Sequence, residues 1–193
     1  MRVLGLDAST NTIGISIIDY IDGNFTLIDK LFYKPPKKGH PIEKLAFTKM
    51  SISNVIEKYK PDHIALEDII LFMKGKSTAK TTTSLAALNR TVGLAAYEYS
   101  NVPPTLLNVL TIRHAIKDKT LPSKEDIPEL VAQKLGFKWE WMKDKNGKIM
   151  PENYDVADGI AVALAFICLT LKGGGVIPQK SKKPKKSKKT NKK

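Results

Sequence analysis

The sequence predicts an α/β fold built on a mixed five-stranded sheet, three antiparallel strands followed by two parallel ones, with helices on both faces. Three observations carry that expectation. Residues 2–33 hold three β-rich runs separated by turn-forming residues. "DHIALED" and "PPTLLNVL" each follow a stretch with helical apolar spacing, as in β-α-β units. The longest apolar run, Ile160 to Leu171, is too long for a strand, too short to span a bilayer, and reads as a buried helix.

The first strand is Arg2 to Asp7 and the second Thr12 to Tyr20, joined by the turn-forming "ASTN". Asp22-Gly23 is a hairpin signal leading to a third strand, Phe25 to Tyr33, and "KPPKKGHP" then breaks the sheet. From Ile42 to Tyr59, Leu45, Ala46, Met50, Ile52, Val55 and Ile56 follow helical spacing, and Pro61 closes that helix. "DHIALED" is a buried strand ending at Glu67. Polar "KGKSTAKTTT" separates it from a second helix, about Thr83 to Ser100, rich in Ala and Leu. Pro103-Pro104 introduces a fifth strand, Thr105 to Leu110, and Thr111 starts a short helix to about Asp118. Ser123 with Asp126 resembles a capping box for a helix to Leu135. "WEWMKDKNGKIMPEN" reads as a loop or small hairpin before a last helix from Tyr154 to Leu171. A right-handed crossover from the hairpins to "DHIALED" makes the first and fourth strands parallel neighbours.

With 193 residues, 42% of them hydrophobic, the chain is long enough for one domain with a real core. No apolar leader follows Met1, so the expectation is a soluble, cytoplasmic protein with no membrane partner. Cys168, the single cysteine, lies inside the apolar run and reads as packing; it excludes an internal disulfide or a multi-cysteine zinc site. The net charge of +13 is uneven: residues 179–193 hold nine lysines and no acid, leaving +4 on the rest. Such a run cannot bury enough apolar surface to fold, so residues 173–193 are expected to be a disordered Gly- then Lys-rich arm whose partner is a polyanion, after a folded unit over 1–172. In a eukaryotic host, "KSKKPKKSKK" could also serve as a nuclear address.

The chemistry is carried by acids. Parallel pairing of the first and fourth strands brings Asp7 and Glu67 to one sheet edge, where open α/β sheets bind ligands. "NYDVADG" sets Asp155 and Asp158 on one face of the last helix's first turn, with alanines behind them for close packing. Singly, each has an ordinary reading: Asp7 as a turn cap, the helix pair as dipole partners, and Glu67 as interchangeable with its neighbour Asp68. Together at element ends, four carboxylates repel unless a divalent cation lies between them, and an all-oxygen set suits Mg²⁺ or Mn²⁺. His40, His63 and His114 have no ligand spacing and read as structural or solvated.

"LGLDASTNTIGISIID", "IALEDIILFMKGK" and "YDVADGIAVALA" resemble, in order, the three acidic motifs of the RuvC-type Holliday-junction resolvases of the RNase H-like superfamily. The resemblance covers the chain to about Leu171. It implies an RNase H-like sheet and a homodimer that binds four-way DNA and nicks two strands symmetrically. By position, Asp7, Glu67, Asp155 and Asp158 match the family's catalytic, metal-holding acids. The mechanism expected of them is phosphodiester hydrolysis with two Mg²⁺ ions, Asp7 bridging, Glu67 and Asp155 each toward one ion, and Asp158 completing the shell. A further expectation is that Phe72 inserts at the junction. Lys74, Lys76 and Lys80 after the fourth strand, and Arg113, Lys117 and Lys119 after the fifth, are expected to meet phosphates. Trp139 and Trp141 read as packing.

The same first motif also resembles the phosphate loop of the actin and sugar-kinase superfamily, whose ATP site needs a duplicated domain and a second Gly-rich loop; neither is present in this sequence. A nucleic-acid-binding protein that kept the fold and lost activity is the third reading, and intact acids at all four positions oppose it. No small-molecule substrate is expected.

Overall fold

A computed structural model describes residues 1–69, 78–117 and 120–173. The elements run β1 (Arg2–Ala8), β2 (Ile13–Ile21), β3 (Asn24–Tyr33), α1 (Pro41–Tyr59), β4 (His63–Glu67), α2 (Ala79–Ser100), β5 (Thr105–Leu107), α3 (Val109–Ile116), α4 (Ile127–Leu135) and α5 (Glu152–Gly173). Among the described residues they form a five-stranded sheet in the order β3-β2-β1-β4-β5. β1–β2 and β2–β3 pair antiparallel, and β1–β4 and β4–β5 parallel. This is the expected mixed sheet.

Strand alternation sends Leu4, Leu6, Ile15 and Ile17 to one face, where they pack with Ile52 and Ile56 of α1 and Leu88 and Val92 of α2. Val3, Ile18 and Ala65 face the other way, onto α5, α3 and α4 through Ile160, Leu164, Ile112 and Val131. Helices therefore cover both faces. α5 is buried along most of its length, although by length and mean hydropathy (1.8 over Glu152–Lys172) it could cross a membrane.

Local chemistry sets the boundaries. Asp22 and Gly23 both take positive φ and close the β2–β3 hairpin. His40 caps α1 in a capping box with Glu43, and Lys60 ends that helix in the left-handed region, its N–H donating to the Ile56 carbonyl.

Five expectations are corrected. β5 stops at Leu107, because the Asn108 side chain accepts from the Thr111 N–H (2.9 Å) and starts α3, taking Val109 and Leu110 into the helix. α2 begins at Ala79, not Thr83, because Thr78 caps it by accepting from the Thr81 N–H. The Ser123–Asp126 pair does not cap α4: the Asp126 carboxylate accepts from the Ser123 N–H and hydroxyl, tightening the turn before the helix. In α1, Ala46 and Met50 are exposed, while Thr48, Ile52, Ile56 and Tyr59 form the buried stripe. The last helix also starts earlier than expected, at Glu152. The segment before it is a small hairpin closed by the Lys143–Ile149 bridge.

Candidate active site

The parallel register Leu6↔Leu66 makes Asp7 and Glu67 the next residues along neighbouring strands, on the face covered by α5. Their carboxylates meet α5 because that helix sits unusually deep. A Cβ added to Gly5 would lie 2.3 Å from the Gly159 carbonyl oxygen, and one on Gly14 only 1.7 Å from that of Asp155. The Ser16 hydroxyl donates to the Gly159 carbonyl (3.0 Å) inside the same contact. Backbone-to-backbone packing thus delivers Asp155 and Asp158 to the sheet edge.

Carboxylate oxygens of Asp7, Asp155 and Asp158 lie within 4.8 Å of one another. Glu67 is outside this group of three but lines the same groove, a cavity of about 830 Å³. Three carboxylates with hard oxygen donors and this spacing fit a divalent cation. Electrostatics records their crowding. Burial, then Glu67 and Asp158, hold the Asp7 carboxyl well above its ordinary value. Burial, then Asp158, push Glu67 up to about 7, against the pull of Arg113 and Lys124. Burial raises Asp158 to about 6, opposed by Lys124 and Arg113.

Asp68, the alternative to Glu67, turns to other partners: its carboxylate accepts from Arg90 (3.2 Å) and from the Ile69 N–H. Arg90 also donates to the side-chain oxygen of Asn89. Asn89, fully buried on α2, donates to the Glu67 carbonyl (2.8 Å) and pins the end of β4.

Arg113 lines the groove and donates to the Pro122 carbonyl. Lys80 is exposed on the first turn of α2 and Lys117 at the end of α3. Phe72, Lys74, Lys76, Lys119 and residues 174–193 lie outside the described residues. Trp139 is buried in the core with Trp141 packed against it, as expected, and His63 packs on Phe166.

The sequence reading missed Lys124, whose ammonium donates to Asp155 (3.0 Å) and lies 3.4 Å from Asp158. It also missed Asn89, and Lys34 and Lys37, which line the groove, Lys34 paired with buried Glu152. No spacing signals Lys124, because its partners are 31 or more residues away.

The family model for crossover junction endodeoxyribonuclease RuvC matches residues 3–166. This chain belongs to the RuvC family. Relatives in it include the RuvC of Dehalococcoides mccartyi, 29% identical over 184 residues, covering 90% of this chain and 99% of that protein. The RuvC of Fusobacterium nucleatum is 28% identical over 167 residues, covering 86% and 80%. Among solved structures, Thermus thermophilus RuvC in complex with a Holliday junction substrate superposes with a TM-score of 0.69 at 18% identity, over 90% of this chain and 97% of that one. The yeast mitochondrial Holliday junction resolvase gives 0.62 at 16%, over 89% and 79%. These structural likenesses show a shared fold, and RuvC membership makes this a metal-dependent nuclease fold with its acid cluster in place.

Proposed function

We propose that this RuvC-family protein is a structure-selective DNA endonuclease that nicks four-way junctions, working as a homodimer so that two grooves address two strands. The observation that supports it is the convergence of Asp7, Asp155 and Asp158 within 4.8 Å, in a groove lined also by Glu67, Arg113, Lys34 and Lys37. Residues 1–172 form the nuclease unit and residues 173–193 an electrostatic arm. The setting is wherever chromosomal or viral DNA recombines, the cytoplasm in a bacterium.

Two Mg²⁺ ions, with Mn²⁺ able to replace them, would supply an activated water and charge stabilisation on the leaving 3′ oxygen. Asp7 would be shared by the two ions, Glu67 and Asp155 would each serve one of them, and Asp158 would complete the set of ligands. Asn89 holds the Glu67 main chain, so the carboxylate starts from a fixed point. Arg113, Lys34 and Lys37, which line the groove, offer cations to the phosphates flanking the scissile one. Exposed Lys80 and Lys117 add further phosphate contacts, Lys74, Lys76 and Lys119 are assigned the same role from their place in the sequence, and Phe72 is assigned to stack on an unpaired base at the branch point.

Labelled linear, forked and four-way DNA incubated with Mg²⁺ or Ca²⁺ tests this reading. The expected result is paired symmetric nicks in four-way DNA with Mg²⁺, and binding without cutting in Ca²⁺. Equal cutting of linear and branched DNA would refute junction selectivity.

A further inference from the structure

We propose that Lys124 is a built-in competitor of the metal at the acid cluster: its ammonium and a divalent ion claim the same oxygens of Asp155 and Asp158, so that metal entry displaces it. The inference rests on the reading of these acids as metal ligands.

The geometry leaves little room for both cations. Lys124 Nζ lies 3.0 Å from Asp155 Oδ1 and 3.4 Å from Asp158 Oδ2, and oxygens of these two acids and Asp7 lie within 4.8 Å of one another. A Mg²⁺ or Mn²⁺ ion binds carboxylate oxygens at about 2.0–2.1 Å and requires their lone pairs aimed at it. An ammonium draws the same lone pairs to a point about 2.7–2.9 Å away. Each cation also lowers the field that attracts the other.

The side chain is placed to leave. Lys124 lies in the turn before α4, outside any helix or strand, and its side chain is 45% exposed, whereas those of Asp155 and Asp158 are 16% and 17% exposed. Swinging a four-carbon stem toward solvent needs no change in sheet or helix, whereas moving the acids would pull α5 off the sheet. Lys124 is therefore the mobile partner and the carboxylates are the fixed ones. While it stays, its charge offsets part of the burial and the carboxylate repulsion that hold the carboxyls of Asp7, Glu67 and Asp158 above their ordinary values. Once displaced, its ammonium has lost its anionic partners and is free for another anion at the rim of the groove. The metal's affinity is thus set by a difference, and the lysine sets the subtracted part.

The test is Mn²⁺ binding to the full-length protein by titration calorimetry, with Asp155→Asn as the control. Lys124→Met should bind Mn²⁺ roughly 5- to 100-fold more tightly than the parent protein. It should melt at a lower temperature in EDTA and gain more from added Mn²⁺. Lys124→Arg should behave like the parent. Unchanged affinity in Lys124→Met would overturn the inference, and weaker binding would show instead that the lysine positions the ligands. Independently of any variant, Ca²⁺ should raise the acetylation rate of Lys124 in the parent protein, read by mass spectrometry; an unchanged rate would also overturn it. If neither the parent nor Lys124→Met binds Mn²⁺, the metal reading of the acids fails as well.

Discussion

Gly14 of β2 and Asp155 of α5 touch through their backbones: a single methyl on Gly14 would stand 1.7 Å from the Asp155 carbonyl oxygen. The missing side chain on the strand is what lets an acid on the helix reach Asp7. Gly14→Ala must therefore push the start of α5 outward. Overpacking of this kind costs about 1–3 kcal/mol, so the melting temperature should fall by roughly 2–12 °C. Metal binding should weaken as well, because Asp155 and Asp158 move together. Calorimetry and Mn²⁺ titration check both, and a stable variant with unchanged Mn²⁺ affinity would show that the close approach does not position the acids.

Asp7→Asn and Glu67→Gln remove ligand charge without changing shape. Nicking of four-way DNA should fall at least roughly 100-fold, since stabilisation of the transition state is lost. Junction binding should persist or tighten, because a phosphate then approaches a less negative groove. Gel-shift and single-turnover cleavage assays separate the two effects. Normal cleavage by either variant would remove that residue from the catalytic set.

Raised carboxyl pKa values make stability depend on pH in a defined direction. Glu67 titrates at about 7 in the folded protein against an ordinary 4.5, and Asp158 at about 6 against 3.8, so the folded state holds protons that the unfolded chain has released. Stability therefore falls as pH rises from about 4 to about 7. In EDTA, the melting temperature should be lower at pH 7.5 than at pH 5. Mn²⁺, which binds the ionised acids, should restore more at pH 7.5 than at pH 5. A melting temperature that rises across this interval in EDTA would contradict the crowded-acid picture.

Asn89 donates to the Glu67 carbonyl from a fully buried position. Asn89→Ala leaves that carbonyl and the Arg90 guanidinium each short of a partner, at a cost of about 1–3 kcal/mol. Cleavage should drop roughly tenfold or more through misplacement of Glu67, with junction affinity unchanged. Wild-type cleavage by the folded variant would mean that strand pairing alone holds Glu67.

Deleting Lys180–Lys193 should weaken binding to linear, forked and four-way DNA alike. The plot of log affinity against log salt should flatten by roughly 0.9 for each lysine that meets a phosphate. Loss of branch selectivity with overall affinity spared would make the arm a reader of shape.

The mixed sheet, the parallel pairing of β1 with β4 and the meeting of Asp7, Asp155 and Asp158 were legible in the sequence, because the elements and the acid spacing are written locally and the crossover from β3 to β4 dictates the pairing. Period-2 apolar runs, the Asp22-Gly23 turn and the "DVADG" spacing act over a few residues. The caps of α2 and α3 were legible in principle too, since Thr78 and Asn108 are ordinary N-cap residues. The expected boundaries followed apolar content instead and missed them. What only the tertiary structure decided is which distant groups share the acids' field. The partnership of Lys124 with Asp155 and Asp158, of Asn89 with the Glu67 carbonyl, and of Lys34 with Glu152 each joins segments far apart in the chain. The depth of α5 over Gly5 and Gly14 belongs with them, because a glycine in a strand signals nothing until a second backbone lies against it. Local propensity is short-ranged and leaves a mark in sequence. Charge and close packing act through space, so their partners are fixed only when the sheet and α5 have docked.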